Sequence, residues 1–104
     1  MDPIISKIIE SDPNTYVIFF MYGCFYSERA LKLLRESGVA YKGYDISTIK
    51  GGMKELLDVL NKNATLINFD VKHRTRPIIF LNGKFIGGSN ELAKILTINN
   101  DTIN

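Results

Sequence analysis

The stretch Tyr16-Val17-Ile18-Phe19-Phe20-Met21-Tyr22-Gly23-Cys24-Phe25-Tyr26-Ser27 changes character half-way along. Tyr16 to Met21 is a continuous β-branched and aromatic run, the pattern of a strand covered on both faces. Gly23 breaks it. From Cys24 the apolar residues recur at helical spacing, with Ala30, Leu33 and Leu34 on one face and Glu28, Arg29, Lys32, Arg35 and Glu36 elsewhere, up to a stop at Gly38. A buried central strand therefore runs into a helix, and Cys24 stands at the junction. Val39 to Ile46 then alternates as a second strand, and the helix between the two supplies the crossover that a parallel pair requires.

Working outward, Pro3 to Glu10 places Ile4, Ile5, Ile8 and Ile9 at helical spacing behind a capping Asp2. Gly51-Gly52 opens another helix whose core stripe is Met53, Leu56, Leu57 and Leu60. Ala64 to Arg74 is compatible with helix, strand or loop. Pro77 to Leu81, Asn82-Gly83 and Lys84 to Ile86 predict a hairpin, because Asn-Gly readily supplies the two positive φ angles of a type I′ turn. Ser89-Asn90-Glu91 offers capping residues for a last helix, Leu92 to Leu96, before a polar tail over 97–104 that is expected to fray. The order αβαβαββα predicts an α/β fold over residues 1–104, a mixed four-stranded sheet flanked by helices on both faces. In such sheets ligands bind beyond the carboxyl ends of parallel strands, which is where Cys24 lies.

Composition narrows the function. The 104 residues are 45% hydrophobic and 23% charged, as in soluble globular domains, so disorder and low complexity do not fit. A formal charge of +2 is too small for a dedicated nucleic-acid or membrane-surface binder, and the longest apolar run is far short of a membrane span. One cysteine rules out an internal disulfide and points to a reducing, cytoplasmic setting. One cysteine and one histidine cannot supply four zinc ligands within the chain.

A lone cysteine reads either as a small buried apolar residue or as a nucleophile. The junction argues for the second. Unpaired N–H groups and the positive end of the helix dipole favour thiolate there, and can bring a cysteine pKa from about 8.5 into a range of roughly 3.5–7.5. Taken singly, Pro77 reads equally as a trans-proline opening an edge strand, Gly87-Gly88 as a turn and Ser89-Asn90 as a helix cap.

Together, three motifs resemble the glutaredoxin family. Cys24-Phe25-Tyr26-Ser27 with Arg29-Ala30 and Leu33-Leu34 is similar to its active-site segment, Thr75-Arg76-Pro77 to its Thr-Val-Pro loop, and Asn82 to Leu92 to its hairpin and glutathione-binding signature. The resemblance spans residues 16 to 96 and implies a thioredoxin-like fold with reduction of mixed disulfides by glutathione. It makes Cys24 the nucleophile and Tyr26 a flank of the glutathione groove. Pro77 becomes a cis-proline beside Thr75 and the Arg76 backbone, and Gly88, Ser89 and Asn90 become the seat of the γ-glutamyl carboxylate. A helix N-terminus suits a carboxylate on physical grounds as well.

The departures carry equal information. Ser27 stands where dithiol relatives have a second cysteine, so the implied cycle is monothiol, and Ser27 reads either as a hydroxyl and N–H donor to the thiolate or as a residue that only continues the helix. Met21 replaces the usual lysine and Asn90 the usual aspartate, so altered glutathione binding is expected, with Lys72, Arg74 or Arg76 as substitute cations. His73 lies near the groove without an assigned role. Two further readings stay open: a dimer holding a [2Fe-2S] cluster between two copies of Cys24 and two glutathione thiols, and an inactive thioredoxin-like binding module. The expected partners are glutathione and glutathionylated proteins or small mixed disulfides, with no nucleic acid and no membrane, and with a monomer unless a cluster bridges two chains.

Overall fold

The computed structural model describes residues 1–103, with side chains through Thr97. Helix α1 (Pro3–Ile9) opens as expected: the Asp2 carboxylate accepts the Ile4 N–H at 2.7 Å, Pro3 occupies the first turn, and Ile5 and Ile8 are buried. Strand β1 (Tyr16–Phe20) is buried at every position. Helix α2 (Phe25–Ser37) follows with Cys24 as its N-cap residue, and Gly38 ends it in a left-handed conformation at φ 69°.

Strand β2 (Tyr41–Asp45) is shorter than the alternation of Val39 to Ile46 suggests. The chain leaves the sheet at Asp45, whose carboxylate accepts the Ser47 N–H at 2.9 Å and starts a 3₁₀ turn over Ile46–Thr48. Helix α3 (Gly52–Lys62) buries Leu56, Leu57 and Leu60, with Met53 packed against them. The ambiguous stretch begins as a short helix, α4 (Ala64–Ile67), which Asn68 ends at φ 54°. An Asp70-led turn follows, with the Lys72 N–H on its carboxylate at 2.9 Å and the His73 N–H on its carbonyl at 2.9 Å.

Strands β3 (Ile78–Leu81) and β4 (Lys84–Gly87) form the hairpin, with Asn82 and Gly83 at φ 51° and 79°. Helix α5 (Ser89–Ile103) starts three residues earlier than the apolar pattern. Gly88 occupies its N-cap, since the Gly88 carbonyl accepts the Leu92 N–H at 3.1 Å. The frayed tail expected over 97–104 falls, beyond Thr97, outside the residues described with their side chains.

The sheet order is β2-β1-β3-β4, with β1 and β2 parallel and the other pairs antiparallel. Side-chain alternation divides the core into two layers. Val17, Phe19, Ile78 and Phe80 face α1, α3 and α4, whereas Tyr16, Ile18, Phe20 and Ile79 face α2 and α5. Burying a side chain of this size is worth roughly 1.5–3 kcal/mol, so a strand filled on both faces anchors both layers.

The topology also gathers one end of the sheet. β1 ends at Phe20, next to the start of β3, because Phe19 pairs with Ile78. β4 ends at Gly87 opposite Ile79. Three segments distant in sequence thus meet there: the turn bearing Cys24, the loop before β3 and the start of α5.

Candidate active site

Cys24 is part-exposed at the N-cap of α2, with extended dihedrals of φ −91° and ψ 121°. The thiol closes no cap hydrogen bond of its own, yet the donors around it favour its anion. The Ser27 backbone N–H is the largest influence holding the Cys24 pKa below the ordinary thiol value. Partial burial opposes it, and the Ser27 hydroxyl, the Arg76 guanidinium and the Tyr26 N–H add to the lowering.

Ser27 itself is fully buried beneath the turn. Its hydroxyl accepts the Met21 N–H at 3.2 Å, which ties the end of β1 to the first turn of α2 and leaves the hydroxyl proton for the sulfur. Around this point Tyr22, Phe25 and Tyr26 are 67%, 72% and 52% exposed, an unusual amount of aromatic surface beside one thiol.

Across from Cys24 the Arg76–Pro77 peptide bond is cis. Pro77 is buried, Arg76 half-buried, and Arg74 and Thr75 exposed. Arg74, Thr75, Arg76, Tyr26 and Cys24 line one open depression of about 380 Å³. A second, of about 170 Å³, shares Tyr26, Thr75 and Arg76 and runs to the start of α5, where His73, Gly88, Ser89, Asn90 and Glu91 line it.

The α5 end of this groove is held by a half capping box: the Gly88 N–H donates to the Glu91 carboxylate at 2.7 Å. Glycine is needed just before it, because Gly87 has φ 129° and a Cβ there would fall 2.5 Å from Glu91 Cγ. The Ser89 hydroxyl, 4% exposed, has no hydrogen-bond partner, and Asn90 Oδ1 accepts from Arg29 at 2.8 Å.

The candidate site residues of the three motifs, from Cys24 to Ser27, Thr75 to Pro77 and Gly88 to Asn90, meet at this end of the sheet, although Ser27 and Pro77 lie beneath it and line neither depression, whereas the hairpin tip at Asn82 lies at the other end beside Asn14. His73, to which the sequence assigns no role, belongs here too. Its Nε2 donates to the Pro77 carbonyl at 3.2 Å, and its ring packs edge-on against Phe85 at 5.1 Å. A Cβ on Gly88 would come within 3.2 Å of His73 Cε1. Two residues before Thr75, a histidine was the available signal, but only the fold turns it back over Pro77.

A thiolate-favouring cysteine at a strand-to-helix junction, beside a cis-proline loop and open to solvent, has what a nucleophile of thiol–disulfide exchange needs. Residues 16–86 match the model of the Glutaredoxin family. This chain belongs to the glutaredoxin family. A probable glutaredoxin of Acanthamoeba polyphaga mimivirus is 49% identical over 98 residues, covering 94% of this chain and 92% of that protein. The mouse mitochondrial glutaredoxin-2 is 32% identical over 79% of this chain, which spans only 47% of the mouse protein. Among solved structures, a dithiolic glutaredoxin of Trypanosoma brucei brucei superposes with a TM-score of 0.73 at 29% identity, covering 95% of this chain and 91% of that one. As a glutaredoxin this protein has the thioredoxin-like fold and belongs among the thiol–disulfide oxidoreductases. With Cys24 its single cysteine, it is of the monothiol kind.

Proposed function

We propose that this glutaredoxin reduces glutathione mixed disulfides by a monothiol cycle through Cys24. The observation that carries the reading is the thiolate-favouring seat of Cys24 at the mouth of a groove that ends on the N-terminus of α5. A glutaredoxin–glutathione complex of buckwheat has the same fold, with a TM-score of 0.61 at 22% identity.

In the first step the Cys24 thiolate attacks the glutathione sulfur of the mixed disulfide. A new S–S bond forms, the old one breaks, and the other half leaves as a thiolate that takes a proton from water. In the second step the thiolate of another glutathione attacks the glutathione sulfur on Cys24, giving glutathione disulfide and freeing the Cys24 thiolate. Each turn consumes one free glutathione and converts the mixed disulfide into a free thiol and glutathione disulfide, whose other half comes from the substrate, and no second protein thiol takes part.

The groove suits the tripeptide at each end. The γ-glutamyl carboxylate lies on the Ser89 and Asn90 N–H groups at the start of α5. The cysteinyl part pairs with the Arg76 main chain beside Pro77, Thr75 and Tyr26 form the walls, and Gly88 permits close approach. Met21 brings no charge to the glycine carboxylate, so that contact falls to Arg74, exposed on the depression that reaches Cys24. The cycle consumes reduced glutathione and so belongs in a reducing compartment such as the cytoplasm.

The test is glutathione-dependent turnover of a small neutral mixed disulfide, coupled to glutathione reductase. Activity in the wild type that vanishes in Cys24→Ser is expected; a folded wild type without turnover would reject the reading.

A further inference from the structure

Arg76 is the one arginine common to both depressions, the one at the thiol and the one that ends on α5. It occupies the position before Pro77 at which the family motif carries an apolar residue. The charged groups around it leave it without a carboxylate. Glu91, across the groove, is turned onto the Gly88 N–H. Glu28 on α2 is exposed, and its main-chain N–H is bonded to the Cys24 carbonyl at 2.9 Å. Arg74 beside it is a second cation, and the one ion pair among the described residues joins Lys54 to Asp58, at 3.1 Å. The half-buried Arg76 lines the same depression as Cys24, so the group there that can carry a negative charge beside its guanidinium is the Cys24 sulfur.

We propose that Arg76 is a further catalytic residue of the exchange, its guanidinium stabilising the Cys24 sulfur in the two steps where that sulfur is an anion. The inference rests on Cys24 being the nucleophile. In the first step the guanidinium favours the attacking thiolate; in the second it favours the same thiolate as the leaving group. Between them Cys24 is a neutral disulfide, so the guanidinium stands free to draw in the next glutathione thiolate. Its place among the groups that lower the Cys24 pKa agrees with this.

The pH signature separates this role from simple packing. An adjacent opposite charge moves a pKa by about one unit or more, which is roughly tenfold in thiolate fraction below the pKa. Intrinsic nucleophilicity rises by about threefold for the same unit, following a Brønsted slope of roughly 0.4–0.5. Loss of the guanidinium should therefore slow attack by about threefold at low pH and speed it by about threefold above the thiol pKa. Release of Cys24 should slow at every pH, because a more basic thiolate leaves less readily.

The experiment compares wild type, Arg76→Gln and Arg76→Lys. Iodoacetamide alkylation of Cys24 across pH gives the thiol midpoint without glutathione, and stopped-flow reduction of the glutathionylated protein by glutathione gives the release step. A midpoint raised by about one unit in Arg76→Gln, largely restored in Arg76→Lys, together with slower release is the expected result. A midpoint unchanged in Arg76→Gln, or a shift that Arg76→Lys shares in full, would overturn it. Because alkylation needs no glutathione, absent turnover would count against the glutathione cycle and leave this measurement standing.

Discussion

The imidazole Nε2 of His73 donates to the Pro77 carbonyl at 3.2 Å while the same ring closes on Gly88, where an added Cβ would lie 3.2 Å from Cε1. One side chain thereby fixes the spacing between the loop before β3 and the start of α5. Those are the two walls of the groove, so their separation depends on a residue that takes no part in the chemistry. His73→Ala is expected to cost about 1–2 kcal/mol in urea unfolding, as for a lost part-buried hydrogen bond with its packing. It should raise the KM for glutathione while leaving the rate of Cys24 alkylation unchanged; an unaltered KM would reject the positioning role.

Glu91→Ala tests the other end of the groove. It removes the carboxylate from the Gly88 N–H and one negative charge from the first turn of α5. Caps of this kind contribute about 1 kcal/mol, and a melting temperature lowered by roughly 4–8 °C is expected for a domain of this size. Glutathione affinity, read by calorimetry, should fall with it because the α5 N–H groups lose their fixed direction.

Ser27→Ala leaves the Met21 N–H without its acceptor and takes a donor from the thiolate. The stability cost should be about 1–3 kcal/mol, that of an unsatisfied buried donor. The alkylation midpoint of Cys24 should also rise. A stability loss with an unmoved midpoint would make Ser27 purely structural.

The lowered Cys24 pKa links stability to pH with a definite sign. In the unfolded chain the thiol titrates near about 8.5, and in the folded protein below that. Between the two values the unfolded state binds more protons, so stability rises with pH across that window. The contribution is complete above the unfolded pKa and is lost as pH falls through the folded one. Urea unfolding of wild type and Cys24→Ser under reducing conditions should therefore show the wild type gaining on the variant up to about pH 8.5 and holding level beyond it. A constant difference across this range would contradict the thiolate seat.

Much of this was legible in one dimension because local rules and burial agreed. The run from Tyr16 to Phe20 is apolar at successive positions since both faces of β1 are covered, and Asn82-Gly83 takes the positive φ angles that its residue types tolerate. The stretch from Ala64 to Arg74 was not legible in this way. Leu66 is 50% exposed while Ile67 and Phe69 are buried, so its apolar residues follow no single period, and short turns around Asn68 and Asp70 set its course. The start of α5 was displaced for a similar reason: Ser89 has the side chain of a cap, but Gly88 takes the position because Glu91 satisfies its N–H from within the helix.

The sequence by itself determined the βαβαββα order that follows α1, the nucleophile at a strand-to-helix junction and the absence of a second thiol, since each depends on residue type and on near neighbours in the chain. The tertiary structure alone decided which groups meet the thiol. Arg76 lines one depression with Cys24, His73 closes over Pro77 and Glu91 reaches Gly88 because antiparallel pairing of β1 with β3 and of β3 with β4 brings their ends together. Contacts across a sheet end depend on register, and register is set by the packing of two apolar layers at once, which no local stretch of sequence encodes.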